Sequence, residues 1–392
     1  MSLSRFGFRL AGAVVVSVAA ILSGGAAMLA SCGPFTDFTD AGFCPFVLEI
    51  FYLGITTGTT PTTYDPTSPV TRLQMAAFLS RTVDGVLRRG RRRSALNQNW
   101  TPQNDIVLPT TSVGLQPLLL QSDGADVWVA TVNGGAGVVR VRASDGKVLE
   151  NWTVSFPSGV LVALGRVLVV DSSGNLSYLD PRQPPGSVTT VASSLTNPTD
   201  LVFDGASVWV FGTAGPVGQV VRVFPGFGTP WASLTVTAGF SEPYGALFDG
   251  KNVWVTDPGA GNPGTLLKLD DQAAILQTVT VGATPSRPVF DQANIWVPNT
   301  SSNSVTVVRA STGLVLQTLT GNGLEFPYQA AFDGERILIT SPGGNRVSFW
   351  KAADLTPLGM VSTGASTQPH GVCSDGSSFW VALTDASRIA RF

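Results

Sequence analysis

From residue 115 onward, apolar and polar positions alternate in short runs separated by turn formers. Residues 243–281 show the pattern clearly. Tyr244–Phe248, Asn252–Thr256, Thr265–Leu269 and Ile275–Val281 are rich in Val, Leu, Thr and aromatics, and each is bounded by Gly, Pro, Asn or Asp. That composition and punctuation predicts four strands with tight turns. Asp-Gly between the first two runs predicts a hairpin, because Gly takes positive φ at no steric cost. No segment of this region keeps a 3.6-residue apolar period.

The four-strand unit recurs. A phrase Pro-x5-Asp-Gly-x3-Trp-Val places aspartates at Asp123, Asp204, Asp249, Asp291, Asp333 and Asp375, with gaps of 81, 45, 42, 42 and 42. The first gap is two periods, with a degenerate copy near Leu164-Gly165. Trp128, Trp209, Trp254, Trp296, Leu338 and Trp380 follow five positions after the aspartates, and Pro117, Pro198, Pro243, Pro285, Pro327 and Pro369 precede them by six. Four antiparallel strands at such a period are the blades of a β-propeller. The recurring Trp is expected to pack between blades.

Six complete repeats start near residues 115, 155, 196, 241, 283 and 325, and a seventh starts at Gln368 and stops after three strands at Phe392. The segment Asp105–Gly114 resembles the last strand of other repeats and is expected to complete the final blade. The prediction is a mainly β fold, a seven-bladed propeller over 105–392 whose ring is closed by an N-terminal strand, which also removes exposed edges.

The N-terminus has a different character. Arg5 and Arg9 precede an apolar stretch, Leu10–Ser23, and then small residues, so residues 1–31 read as a removed secretory signal. No later run reaches the ~18–20 apolar residues of a transmembrane helix. Residues 32–90 predict a small helical module. Its first helix is Cys44–Leu53, ending at Gly54, and its second is capped by Thr71 and runs to about Leu87, with Leu73, Ala76, Ala77, Leu79 and Val83 on its apolar side. Arg88, Arg89, Arg91, Arg92 and Arg93 open a basic linker that covers 91–104; they are read as solvated or as touching anionic lipid or wall polymer.

Two resemblances follow. The phrases PHGVCSDGSSFWVALTDASRIARF, PYGALFDGKNVWVT and PTDLVFDGASVWV resemble secreted NHL/YVTN-type propellers and, more loosely, the streptogramin lyases. Phe35-Thr36-Asp37, Gly54-Ile55-Thr56-Thr57-Gly58, Tyr64-Asp65-Pro66 and Thr71-Arg72-Leu73-Gln74 resemble one S-layer homology (SLH) module. That resemblance implies attachment to cell-envelope polysaccharide, with Arg72 as the position contacting anionic sugar. Gln74 stands where the family usually has Glu, and only one module is present where firm anchoring usually uses three.

Composition narrows the classes. Charged residues are 13%, Gly numbers 43, and the net charge is −2, which suits a turn-rich all-β exported chain and disfavours a nucleic-acid partner. Cys32 and Cys44 predict a disulfide, while Leu29-Ala30-Ser31-Cys32 also resembles a lipobox that would lipidate Cys32. Cys373 reads as a buried apolar residue.

The residues after each repeat's Pro fall at the channel mouth. Tyr244, Arg287, Tyr328, Gln329 and His370 are the expected ligand-binding group there, beside Leu118, Thr199-Asp200 and Ser286. Asn133, Asp257, Asn299 and Asp385 lie in loops of the same end. In the lyases, His and Glu on this face supply a metal site and a general base. Here His370 is the single histidine, with Glu242, Asp257 and Asp385 as the candidate carboxylates. No catalytic residue, cofactor or metal is assigned, and no zinc spacing or phosphate loop occurs. The expected protein is an exported, non-catalytic envelope or extracellular scaffold. Its partners would be envelope polysaccharide, held weakly, or another surface protein. The alternative is a metal-dependent lyase-like enzyme.

Overall fold

The computed structural model describes residues 32, 34–37, 43–52, 56–72, 74–79, 109–133, 137–183, 186–215, 217–226, 228–237, 239–259 and 262–392. The segment 1–31 expected to be a signal, the basic run 88–93 and the expected continuation of the second helix beyond 79 lie outside these residues. The chain divides into two compact units, Met1–Asn97 and Gln98–Phe392.

The larger unit is a seven-bladed β-propeller of four-stranded antiparallel sheets. Its inner strands are β2 (Pro117–Ser122), β6 (Pro157–Ala163), β10 (Pro198–Phe203), β14 (Ala246–Phe248), β18 (Val289–Phe290), β22 (Ala330–Phe332) and β26 (Pro369–Ser374). Blades 1 to 6 run outward in chain order from β2 to β25 (Pro357–Ser362). Blade 7 is built from β26, β27 (Phe379–Leu383), β28 (Arg388–Arg391) and, outermost, β1 (Thr110–Ser112). Thr110 pairs with Ala390, Thr111 with Ile389 and Ser112 with Arg388. The ring is thus closed by a strand from its N-terminal end.

Burial follows strand position. The second strand of a blade is covered on both faces, as in β3 (Asp126–Thr131) where every residue is buried, while the outer β17 (Ile275–Thr280) is mostly exposed or half-buried. Trp128 packs with Val160, Val167 and Leu179 of the next blade, and Trp254 with Ile295 and Val297 of its next. The expected inter-blade role of the tryptophans therefore holds.

The recurring aspartate does more than form a turn. Asp249 accepts the Lys251 and Asn252 amides at 2.8 and 2.7 Å through one oxygen, and the Trp254 indole N–H at 2.8 Å through the other. The same indole bond joins Trp128 to Asp123, Trp209 to Asp204, Trp296 to Asp291 and Trp380 to Asp375. Blade 6 lacks the Trp, and there Arg336 donates to Asp333 instead, at 2.8 Å. Five of the seven blades thus tie their first turn to their own buried ring. Asp249→Ala leaves a buried indole N–H unpaired, so a loss of about 2–3 kcal/mol is expected. Chemical denaturation measures it, and in a Trp254→Phe background, which removes the donor, the loss should shrink. An equal loss in both backgrounds would show that the indole bond contributes nothing.

In the smaller unit, α1 spans Cys44–Tyr52, and Leu53, its expected last residue, lies outside the described residues. Cys32 and Cys44 are joined as a disulfide with Cα atoms 5.5 Å apart. Phe35 is fully buried in a cluster with Cys32 and Val47. Asp37 accepts the Tyr64 and Asp65 amides at 2.8 Å each, and these bonds hold its carboxyl below the ordinary Asp range. Gly58 has φ of +75° and lies against Phe35, where a Cβ would fall 2.7 Å from the ring, so this turn requires glycine. Gln74 Oε1 accepts from the Thr71 amide at 2.8 Å and the Gln74 amide donates to Thr71 Oγ1 at 3.2 Å, a reciprocal capping box. Helical backbone follows at 74–79. Leu79 and Ala76, expected on the apolar side of this helix, are exposed, Leu79 at 60%.

Candidate functional site

The inner strands surround a central channel of about 540 Å³, lined by all seven of them. Each blade enters its inner strand through a proline. In four blades a one-residue bulge follows, between Pro117 and Leu119, Pro157 and Gly159, Pro198 and Asp200, and Pro369 and Val372. A bulge re-aims the side chains beside it. In blades 4 to 6 the strand proper begins later, leaving Tyr244-Gly245, Ser286-Arg287 and Tyr328-Gln329 before it at the mouth, with Arg287 and Gln329 joined by a single parallel bridge between blades 5 and 6. The ring of blades is tied here by buried threonine hydroxyls: Thr256 donates to Ser286 O at 2.9 Å, Thr340 to His370 O at 2.6 Å, and Thr384 to Pro117 O at 2.7 Å.

Three of the five expected residues form one cluster. The hydroxyls of Tyr244 and Tyr328 are 2.9 Å apart, and the Tyr328 ring meets His370 edge-on with centroids 5.0 Å apart. All three side chains are half-buried. Burial, then the neighbouring Tyr328, raises the Tyr244 pKa, so the phenol stays protonated. His370 Nδ1 lies 3.0 Å from both Gln368 O and Thr384 Oγ1. A carbonyl only accepts, so Nδ1 carries the proton and Nε2 of the neutral ring is an acceptor. Burial lowers the His370 pKa, opposed by the Gln368 bond and the Asp385 charge, so the imidazole is neutral at pH 7.

Arg287 and Gln329 behave differently. Arg287 is 7% exposed and forms an ion pair of 2.7 Å with Asp200, two blades away. Its NH2 also donates to Thr199 O at 2.6 Å, and its guanidinium lies 5.4 Å from the Tyr244 ring centroid. Burial works against its charge, yet Asp200 and the two tyrosines more than offset this and raise its pKa. Asp200 in turn accepts the Ala246 amide at 3.0 Å. Gly245 holds the equivalent place in the blade between, and a Cβ there would fall 2.7 Å from Arg287 Cα. The absent side chain lets the two charges meet across blade 4. Gln329 donates to Val372 O at 3.2 Å, bracing blade 6 on blade 7. Arg287 and Gln329 therefore line the channel just inside the mouth, with Arg287 touching both tyrosines of the half-buried cluster.

The loop residues are mostly committed to backbone. Asp257 accepts the Ser241 and Glu242 amides at 2.8 Å each. Asn299 is fully buried, accepts the Gly282 amide and donates to Ser304 and Thr306. Glu242 and Asp385 are exposed. Among the described residues no three His, Cys, Asp or Glu side chains are grouped to hold a metal ion. Cys373, on β26, is buried and its thiol pKa is pushed up by that burial. The sequence placed Asp200 at the mouth but gave no sign of its pairing with Arg287.

No protein-family model matches the chain, and no curated protein does. Its likeness is to solved propellers. A streptogramin B lyase structure superposes with a TM-score of 0.59 at 15% identity, covering 72% of this chain and 96% of that one. Hydrazine synthase from Kuenenia stuttgartiensis gives 0.60 at 17%, covering 74% and 98%. The WD40 propeller domain of Doa1 gives 0.58 at 14%, covering 75% and 97%. At such identities the likeness establishes the propeller fold alone, because one fold carries many activities.

Proposed function

We propose that the chain is an exported, non-catalytic protein of the envelope or extracellular space. Its propeller is a binding scaffold of the secreted NHL/YVTN kind that presents the channel mouth to a ligand or surface protein. Its SLH-like module attaches it weakly to envelope polysaccharide. The observation that carries this reading is how the polar groups of the mouth are used. Arg287, Asp200, Asp257 and Asn299 are spent on each other and on backbone. What is left is an aromatic cluster with one hydroxyl donor and one imidazole acceptor, and the exposed carboxylates of Glu242 and Asp385 stand in the surrounding loops without being grouped with it into a metal site. That inventory recognises a ligand more readily than it breaks bonds.

A binding screen of small molecules, glycans and surface proteins on the full chain tests the scaffold role. Tyr328→Ala is expected to weaken a captured ligand about tenfold, because it removes the central ring of the cluster. Turnover of a cyclic ester-linked peptide, lost in His370→Ala, would replace this reading with the lyase alternative.

Attachment rests on Arg72, which is exposed at the start of the helix capped by Thr71 and Gln74. A guanidinium pairs bidentately with a carboxylate-bearing sugar. Arg72→Ala should reduce sedimentation with purified wall material by about three- to tenfold, the range of a single charge-assisted contact. Unchanged sedimentation would remove the SLH-like role. The Cys32–Cys44 disulfide leaves Cys32 no thiol to carry a lipid, which favours attachment through the module over a lipid anchor.

A further inference from the structure

One position before each inner-strand proline stand Gln116, Phe156, Asn197, Glu242, Thr284, Phe326 and Gln368. Six of these share a left-handed backbone: φ is 51° at Gln116, 47° at Phe156, 39° at Asn197, 52° at Thr284, 52° at Phe326 and 44° at Gln368. The recurrence shows that the conformation belongs to the fold, as the turn that starts each inner strand. The residue chosen does not follow from it. Asn suits this region and a bulky side chain does not. Yet Phe156 and Phe326 occupy it, and they are 55% and 51% exposed. Each carries backbone strain and an unburied ring, and neither enters any of the buried clusters of the propeller. Strain kept at an exposed site points to use.

Their arrangement says what for. Around the ring, blades 6, 7, 1 and 2 place Phe326, Gln368, Gln116 and Phe156 in succession at one equivalent position. Two apolar rings thus flank two carboxamides, and Leu115, 51% exposed, adds an aliphatic group beside Gln116. None of the four side chains is charged. The charges nearby are of both signs: Glu325 lies 3.9 Å from Arg346, and in blade 7 Asp385 stands in the loop before Arg388, the first residue of β28. A protein partner would call for a contiguous apolar centre inside a polar ring. Here a ring stands at each end of an arc with two carboxamides between them, Gln116 Oε1 accepting from Asn133 and its Nε2 remaining as a donor. A pyranose chain offers both matching groups, C–H faces for the rings and hydroxyls at its edges for the amides, and it carries no charge to be matched.

We propose that this half of the rim binds a strand of neutral polysaccharide, with Phe326 and Phe156 as stacking platforms and Gln368 and Gln116 as hydroxyl partners. The proposal rests on the reading of the channel mouth as the binding face, and it names the ligand class. It is separate from the anionic polymer expected at Arg72.

Affinity electrophoresis of the full chain tests it, in gels containing hydroxyethylcellulose, mixed-linkage β-glucan or galactomannan, with polygalacturonate as the charged comparison. At least one neutral polymer should retard the protein, and added salt should leave the retardation unchanged. Phe156→Ala and Phe326→Ala should each weaken it about tenfold, the cost of losing an aromatic anchor. Both side chains are exposed, so the variants should melt with the parent. Arg72→Ala should bind the neutral polymer as the parent does. No retardation by any neutral polymer, retardation by polygalacturonate alone, or parental binding by the folded Phe156→Ala/Phe326→Ala double variant would overturn the proposal. If Tyr328→Ala still weakens a ligand from the binding screen in that case, the face binds and only the ligand class is wrong.

Discussion

Arg287→Ala is expected to destabilise the propeller by about 3–5 kcal/mol, because removing one partner of a buried ion pair leaves the other charge uncompensated. The stranded group is Asp200, whose carboxylate keeps only the Ala246 amide as a short-range partner once the 2.7 Å contact is gone. The backbone carbonyl of Thr199 loses its donor as well. Arg287→Lys is no remedy, since one ammonium cannot reach both the carboxylate and the carbonyl in the planar geometry of a guanidinium. The informative comparison is Arg287→Met with Asp200→Asn. Taking both charges away should recover much of the loss, for replacing a buried pair by neutral groups is often close to neutral in stability. Urea unfolding of the single and double variants measures this. A loss below about 1 kcal/mol in Arg287→Ala would mean that water reaches the pair and that it behaves as a surface bridge.

Deleting residues 105–114 is the second change with a large expected effect. It removes β1 and its three register pairs with β28, the buried Val113 packed near Trp380 and Ile389, and the Thr111 hydroxyl bond to Gly146 O at 2.9 Å. Lost ladder bonds at about 1 kcal/mol each and the exposure of one valine at about 2 kcal/mol come to roughly 5 kcal/mol. That is comparable with the whole stability of many domains. The newly exposed edge of β28 should also pair between molecules, so the deleted chain should self-associate as well as melt earlier. Calorimetry and light scattering follow the two effects. A monomer that melts with the parent would show that β1 is an ornament on a ring already closed by its other contacts.

Much of the local chemistry was legible in the chain. The indole bond from Trp254 to Asp249 was within reach, because the fixed five-residue spacing recurs with both partners present. Blade 6, where Leu338 replaces Trp and Arg336 takes over at Asp333, is the exception that reveals the pairing. The capping box of Thr71 and Gln74 was also spelled out by the three-residue spacing. Gln74 performs the reciprocal bond as Glu would in the same place.

The candidate site was legible only in part. Tyr244, Tyr328 and His370 come together as the position after each proline implies, since equivalent places in successive blades converge on one axis. Arg287 stands one position further from its proline, the place of Gly245 in blade 4, and it turns inward to Asp200. Asp200, Gly245 and Arg287 each stand two residues after their proline, but that shared register does not say which side chains pair across the channel. The left-handed turn at Phe156 and Phe326 is equally silent, because those residue types ordinarily signal extended or buried backbone.

By itself the sequence determined the number of blades, the strand order within them, the burial of the tryptophans and the strand that closes the ring. Each of these follows from a pattern that is local or strictly periodic, and a periodic pattern forces equivalent packing at every repeat. Only the tertiary structure decided which mouth residues stay exposed and which neutralise one another. That choice depends on distances across the channel, where side chains from non-adjacent blades compete for the same partners and the burial of a charge is tolerated only if an opposite charge happens to be within reach.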